Sequence, residues 1–241
     1  FYKLIKSKKL SKIKNLKHGF FNRIGGKSKK IYNSLNCGPG SKDNSSNVNK
    51  NLQIVKKKIS RNAKNIFLLR QIHSNKFVYI DQKRIFRLKP KADAVITNQK
   101  NIPIGVLTAD CVPILICDEK KKFVAAIHAG WKGVYKDIIS KVINFMIKKG
   151  SDPRDITAAI GPAISFKNYE VKEDFKRKFI KKNKQNNRFF KIKYKKLYFD
   201  LPNYVKSCLL RNKIKKIESM NIDTFNVKNN FFSARRALKL N

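Results

Sequence analysis

The chain has 241 residues, 41% of them hydrophobic, which is enough apolar material for one large domain or two small ones with a real core. It contains no long uncharged apolar run, so a bilayer-spanning helix is excluded and no membrane partner is expected. The formal net charge of +42 invites a nucleic-acid reading, yet 46 Lys stand against 11 Arg, beside 25 Asn and 28 Ile, the residues of AT-rich codons. Genome composition therefore accounts for much of the excess.

Arginine would dominate if bidentate recognition of phosphate or guanine were the purpose. The lysines are also spread along the whole chain and not gathered into one stripe. Nonspecific attraction to nucleic acid and other anions is expected all the same. Four cysteines, Cys37, Cys111, Cys117 and Cys208, lie far apart without a CxxC pair, which suits a reducing compartment. The first six residues, Phe1 to Lys6, are interrupted by lysine and offer no apolar signal region. The expected location is the cytoplasm.

In chain order, the first 65 residues are polar and rich in turn formers: Arg23-Ile24-Gly25-Gly26, Asn36-Cys37-Gly38-Pro39-Gly40 and Asp43-Asn44-Ser45-Ser46-Asn47. Val48 to Asn62 is expected to be a helix after the last of these clusters. Leu68 to Ile80 reads as strand interrupted by His73-Ser74-Asn75. Ala92 to Thr97, Ile104 to Thr108, Pro113 to Cys117 and Phe123 to His128 are short apolar runs between turns, the pattern of buried strands. Gly133 to Lys149 places Val134, Ile138, Val142 and Met146 four apart, one apolar helix stripe, with Gly150 as the stop. Ile156 to Ile160 is a further strand. Residues 176 to 196, dominated by lysine and asparagine, read as a solvated loop or weak helix edge. Leu201 to Asn212 is expected to be a helix with Pro202 in its first turn. No repeat and no linker is evident, so a single domain over residues 1–241 is expected.

Three segments put metal-binding side chains at strand ends beside a glycine or tight turn. They are Arg70-Gln71-Ile72-His73-Ser74, Thr108-Ala109-Asp110-Cys111-Val112-Pro113 and Ile127-His128-Ala129-Gly130-Trp131. Two of the chain's three histidines fall here. A thiolate with two imidazoles is a zinc-type donor set that leaves a fourth position for water. The spacings of 38 and 17 residues match no local zinc-finger pattern, and lone cysteines and histidines are usually inert packing. A second reading of the same residues makes Cys111 a nucleophile with His128 as its base, a Cys-His hydrolase.

A set of motifs carries a resemblance. His18-Gly19-Phe20, Arg23-Ile24-Gly25-Gly26, Ser34-Leu35-Asn36, Gln71-Ile72-His73-Ser74, Ala92-Asp93-Ala94 and Thr108-Ala109-Asp110-Cys111 come first. His128-Ala129-Gly130-Trp131, Gly161-Pro162-Ala163-Ile164 and Phe231-Phe232-Ser233-Ala234-Arg235-Arg236 follow. Together they resemble the YfiH/laccase-domain family, once called polyphenol oxidases and now regarded as zinc-containing purine nucleoside phosphorylases with adenosine deaminase activity. The resemblance implies an α+β fold of mixed β-sheets with outer helices, a four-layer αββα sandwich. It implies His73, Cys111 and His128 as ligands of Zn2+, with copper as the alternative metal, and purine nucleosides and phosphate as partners. Arg23 and Arg235 or Arg236 would hold phosphate or ribose, since glycine lets amides approach an oxyanion and arginine binds it bidentately. The residue types alone would make Arg23 a turn residue and the arginine pair an exposed basic end. Asp110 would orient a histidine, act as acid/base or form a turn. Asn36 and Glu170 match positions near the pocket.

Three departures from the family pattern narrow the expectation. Asp223-Thr224 stands where relatives often have Cys-Thr, which disfavours a copper site needing that cysteine. Ser165-Phe166 replaces a second glycine and proline, and relatives usually continue past the arginine pair into a Gly-Arg motif and a last strand. Deamination and phosphorolysis at one zinc site lead; laccase-like phenol oxidation, the Cys-His hydrolase and a basic nucleic-acid-binding protein are the alternatives.

Overall fold

The computed structural model describes residues 4–63, 65–81 and 89–240. The beginning of the lysine-interrupted N-terminus, residues 1–3, lies outside the described residues. A two-stranded piece opens the chain, β1 (Leu4–Ile5) pairing antiparallel with β2 (Phe20–Phe21). Helix α1 (Ser45–Ile59) starts earlier than its apolar pattern, because the Asn44 side chain accepts from the amides of Ser46 and Asn47 and caps it. The Asn/Ser cluster is thus partly the helix's first turn.

Strands β3 (Phe77–Ile80), β4 (Ala94–Thr97), β5 (Val112–Asp118) and β6 (Phe123–Ala129) follow. Of the expected strand from Leu68 to Ile80, only the last four residues form a ladder. Before them, Phe67 and Arg70 make isolated bridges to Ile104 and Lys91. The expected strand from Ile104 to Thr108 does not form beyond that bridge. Its backbone is held instead by Gln71, whose amide donates to the Leu107 carbonyl and accepts from the Leu107 amide, both at 2.8 Å. A side chain here replaces a strand partner, and its apolar residues are half-buried.

The expected helix from Gly133 to Lys149 is two helices, α2 (Trp131–Tyr135) and α3 (Ile138–Lys148), broken at Asp137, whose φ is 63°. The stripe nevertheless holds: Val134, Ile138, Val142 and Met146 are all buried, and Gly150 (φ +94°) ends the run. β7 (Ile156–Ile160) comes next. Of the two readings of the lysine-rich stretch from 176 to 196, its start is the helix edge and the remainder is structured, not a solvated loop. The stretch forms the end of α4 (Glu173–Lys182), a 3₁₀ turn, and the hairpin β8 (Phe190–Lys193) with β9 (Lys196–Phe199). Phe179, Phe189 and Phe190 are buried among the lysines, so the segment is amphipathic and packs. The chain finishes with α5 (Leu201–Arg211), β10 (Lys216–Ser219) and α6 (Ala234–Leu240).

Six strands make one mixed sheet in the order β10-β7-β5-β6-β4-β3, with β10–β7 and β3–β4 parallel and the rest antiparallel. Alternate residues of the central strands, such as Ile114, Ile116, Ala125 and Ile127, pack with α3, α4 and α5 in one large core. The other face, including Val95, Cys117, Ala126 and Ala159, packs on Leu10, Phe20 and Leu69. The α+β expectation therefore stands. The second face is covered, among the described residues, by β1–β2 and isolated bridges, without a second continuous sheet.

Candidate metal centre

The site lies where β6 ends, β5 begins and the 72–75 turn crosses them. The pairing of Val112 with Ala129 places Cys111 and His128, neighbours of that pair, at the same end of the sheet. Asp93, immediately before β4, fixes the third segment. Its buried carboxylate accepts from the amides of Ile72 (3.2 Å), His73 (2.9 Å) and Ser74 (2.6 Å) and from the Ser74 hydroxyl (2.7 Å). The three donated amides fold the turn and put His73 in the left-handed region at φ 55°.

The same carboxylate lies 2.9 Å from His128 Nδ1, and the Asp93 carbonyl accepts from the His128 amide at 2.7 Å. His128 is thereby oriented with Nε2 left for another partner, the carboxylate–histidine arrangement found behind metal-binding imidazoles. The two imidazole rings meet edge to face with centroids 4.8 Å apart. Donor atoms of His73, Cys111 and His128 all lie within 4.8 Å of one another. Tetrahedral bond lengths of about 2.0–2.3 Å require donor separations of roughly 3.5 Å, so closure needs only small side-chain shifts.

Gly130 makes this approach feasible. A Cβ there would lie 3.1 Å from Cys111 Sγ, 3.2 Å from His73 Cδ2 and 3.6 Å from His128 Cε1. The electrostatics prepare the donors as well. Burial alone would raise the Cys111 thiol, but hydrogen bonds with His128 and His73 outweigh it and bring it down to about 7. Burial alone would lower His128, yet Asp93 and Cys111 hold it up at about 9. Burial would raise Asp93, while His128 and Ser74 keep it at about 2. Two imidazoles, a ready thiolate, an orienting carboxylate and a space without a side chain fit a metal ion of the zinc type.

The trio borders a cavity of about 560 Å³, mostly apolar, whose walls include Phe20, Leu68, Val106 and Phe231. Of the remaining sequence-predicted residues, Arg23 and Asn36 line it, and Glu170, Arg235, Arg236 and Asp110 are not among its lining residues. The Arg23 guanidinium stacks over Phe232 with its carbon 4.8 Å from the ring centre, and its Nε donates to the Asn33 carbonyl. Burial and the nearby positive charge of Arg236 lower its pKa. The Asn36 side chain is tied into its own loop, donating to Ser41 and Asp43 and accepting from the Gly38 amide.

Asp110 stands outside the donor cluster, and its carboxylate accepts from Thr224, Ser233 and the Arg235 amide. Glu170 pairs with Lys196 at 3.3 Å, and its carbonyl accepts from Arg235, whose guanidinium lies over Tyr169. Arg236 clamps the carbonyls of Thr224, Phe225 and Phe231. Asp223, at the position where relatives often have cysteine, accepts from Ser165 and Asn168 and belongs to no donor cluster among the described residues.

The Ala92-Asp93-Ala94 motif does not by itself reveal the role of Asp93. The available signal was a lone acid between alanines in an apolar run, which is costly to bury unless it is fully bonded. Gly130 likewise reads in sequence as a turn residue, and its contacts make it an opening for the three donors.

The model of multi-copper polyphenol oxidoreductase laccases matches residues 17–240. A purine nucleoside phosphorylase of Rickettsia prowazekii is 37% identical over 177 residues, 73% of this chain and 72% of the relative. Another from Rickettsia conorii is 37% identical over 180 residues, 74% of this chain and 73% of the relative. Among solved structures, a Neisseria meningitidis protein of the DUF152 group superposes with a TM-score of 0.85 at 29% identity, covering 98% of this chain and 93% of its own. Bacillus licheniformis YfiH, described as hypothetical, superposes at 0.82 with 27% identity over 90% and 86% of the two chains.

Proposed function

Because the chain belongs to the multi-copper polyphenol oxidoreductase laccase family, with relatives named purine nucleoside phosphorylases, we propose that it is a zinc-dependent enzyme of purine nucleosides. The reaction is phosphorolysis of adenosine, inosine, guanosine or methylthioadenosine to base and ribose 1-phosphate, with adenosine deaminase activity at the same centre. The observation that carries this reading is the convergence of His73, Cys111 and His128 on one point of a mostly apolar cavity that Arg23 also lines. Such a cavity accepts a flat apolar base, and the polar groups at one end define where chemistry happens.

His73, Cys111 and His128 would hold the ion, and when bound zinc supplies Lewis-acid charge and lowers the pKa of water. The chain's own groups then divide the work. Arg23, on the cavity wall, would offer its free donors to phosphate, and Arg236, committed to the carbonyls of its own arm, adds only its nearby charge. A phosphate oxygen bonds to C1′ of the ribose while the C1′–N9 bond breaks and its electron pair leaves with the base, which takes up a proton. Apolar walls including Phe231 enclose the base and exclude water from C1′. In deamination, water adds at C6 of adenosine and ammonia departs, leaving inosine. Glu170 and Arg235 are assigned to substrate binding from the Tyr169 side, and Asn36 through its loop. The protein is placed in the cytoplasm, with only nonspecific attraction to nucleic acid.

Incubating zinc-loaded protein with adenosine and phosphate tests this directly. Adenine with ribose 1-phosphate, or inosine, is the expected product; a folded, zinc-loaded protein that forms none of them sinks the reading.

One observation favours a second reading: Cys111, brought down to about 7 with His128 beside it, has its donor atom within 4.8 Å of that imidazole's, as a nucleophile and its base would. Zinc retained stoichiometrically through dialysis supports the ligand role. Rapid alkylation of Cys111 in metal-free and as-isolated protein alike supports the nucleophile.

A further inference from the structure

Asp110 and Cys111 are adjacent in sequence and serve different structures. Cys111 joins the donor cluster, while the buried Asp110 carboxylate engages residues more than a hundred positions later. Its Oδ1 accepts from the Thr224 hydroxyl at 2.7 Å. Its Oδ2 accepts from the Ser233 hydroxyl and the Arg235 amide, each at 2.9 Å. The Asp110 carbonyl accepts from the Ile164 amide, and Ala163 in turn bonds the carbonyl of Ile222 and the amide of Thr224. Residues 222–236 are therefore sewn to the strand end that carries Cys111.

That arm carries much of what surrounds the centre. Phe231 and Phe232 line the cavity, and Phe232 supports the Arg23 guanidinium. The Asn230 carbonyl accepts from the Arg23 amide at 2.8 Å. Arg235 reaches over Tyr169 to the Glu170 carbonyl, and Arg236 holds three carbonyls of the arm itself. Among the described residues, every hydrogen bond of the Asp110 carboxylate goes to the arm and none to the donor cluster.

We propose that Asp110 is a positioning residue: a buried latch that seats the 222–236 arm, and with it Phe231, Phe232 and the Arg23 guanidinium that Phe232 supports, beside the metal centre. The cavity's phosphate edge and the thiolate ligand are thereby held in one register. The placement of phosphate rests on the phosphorylase reading; the latch itself does not. Removing the latch should loosen the arm and weaken phosphate binding while sparing the donors.

The test compares the wild type with Asp110→Ala, Asp110→Asn and the double variant Thr224→Val/Ser233→Ala, which cuts the two hydroxyl bonds from the arm's side and leaves only that of the Arg235 amide. Amide hydrogen exchange over residues 230–237 and zinc content are measured for each, then the KM for phosphate and for nucleoside separately. The expected result is arm exchange faster by about tenfold or more in Asp110→Ala and in the double variant, with Asp110→Asn between them and the wild type. Zinc should stay at one ion per chain, and KM for phosphate should rise more than KM for nucleoside. Unchanged arm exchange in the double variant overturns the latch. So does a loss of activity in Asp110→Asn with unaltered exchange and unaltered KM for phosphate, the signature of a lost acid or base. Faster arm exchange in proteins that all lack phosphorolysis, the wild type included, leaves the latch standing and removes the phosphorylase reading instead.

Discussion

Asp93 gathers three backbone amides, one hydroxyl and the His128 imidazole onto a single buried carboxylate. Replacing it with alanine leaves those donors unpaired, so Asp93→Ala should cost about 3–5 kcal/mol by denaturant unfolding and abolish stoichiometric zinc. Gly130→Ala tests a different term, because the added methyl meets two donors at 3.1 and 3.2 Å. Zinc affinity should fall by about tenfold or more with little loss of fold stability, as read by competition with a chelating dye. A pH dependence follows from the same donors. His128, raised to about 9, is protonated in the metal-free protein at neutral pH, and Cys111 at about 7 is half ionised. Zinc needs the neutral imidazole and the thiolate, so binding should release about one proton or more per ion near pH 7 and tighten as pH rises toward 9. Calorimetry in two buffers of different ionisation enthalpy measures that release. In the metal-free fold the sign is opposite: the raised His128 stabilises fully below about 6.5, and the contribution is lost as pH climbs through about 9. The donor trio was legible only through the family motifs around it, because spacings of 38 and 17 residues carry no local ligand pattern. Asp93 was not, because its partners are 19 to 35 residues away and only the fold brings them together.

At the scale of elements, strands with dense β-branched or apolar runs were readable, as β4, β5, β6 and β7 show, and so was the stripe shared by α2 and α3. The break at Asp137 leaves the stripe in register, which is why periodicity could not see it. Ile104 to Thr108 looked like a strand because apolar alternation does not reveal whether a neighbour is available, and here Gln71 supplies the pairing. Lysine content hid α4 and its hairpin. Phe175 and Phe179, one turn apart, stack at 4.8 Å and carry that segment into a cluster with Phe190, Phe199 and Tyr204. Phe179→Ala should therefore cost about 3–5 kcal/mol in thermal or urea unfolding, as a core truncation does, whereas a solvated loop would lose almost nothing.

Across the whole molecule, distant parts of the chain are bonded to each other. Ser7, Lys8 and Lys9 all donate to Glu218, Arg23 bonds Asn230, and Asp110 bonds Ser233. We propose on that basis that residues 1–241 form the single domain expected from sequence, which calls for one coincident unfolding transition by fluorescence and circular dichroism. The electrostatics that bear on the chemistry are those of His73, Cys111 and His128, of which His128 is buried, and of Arg23 on the same cavity wall. The central claim is that a zinc ion held by His73, Cys111 and His128 supports chemistry on purine nucleosides. The most direct measurement titrates zinc into metal-free wild-type protein and into His128→Ala, following ribose 1-phosphate from adenosine and phosphate. Product formation should rise with zinc, saturate at one ion per chain in the wild type and stay absent in the variant. Phosphorolysis that proceeds without zinc, or that survives in a folded His128→Ala, would contradict it.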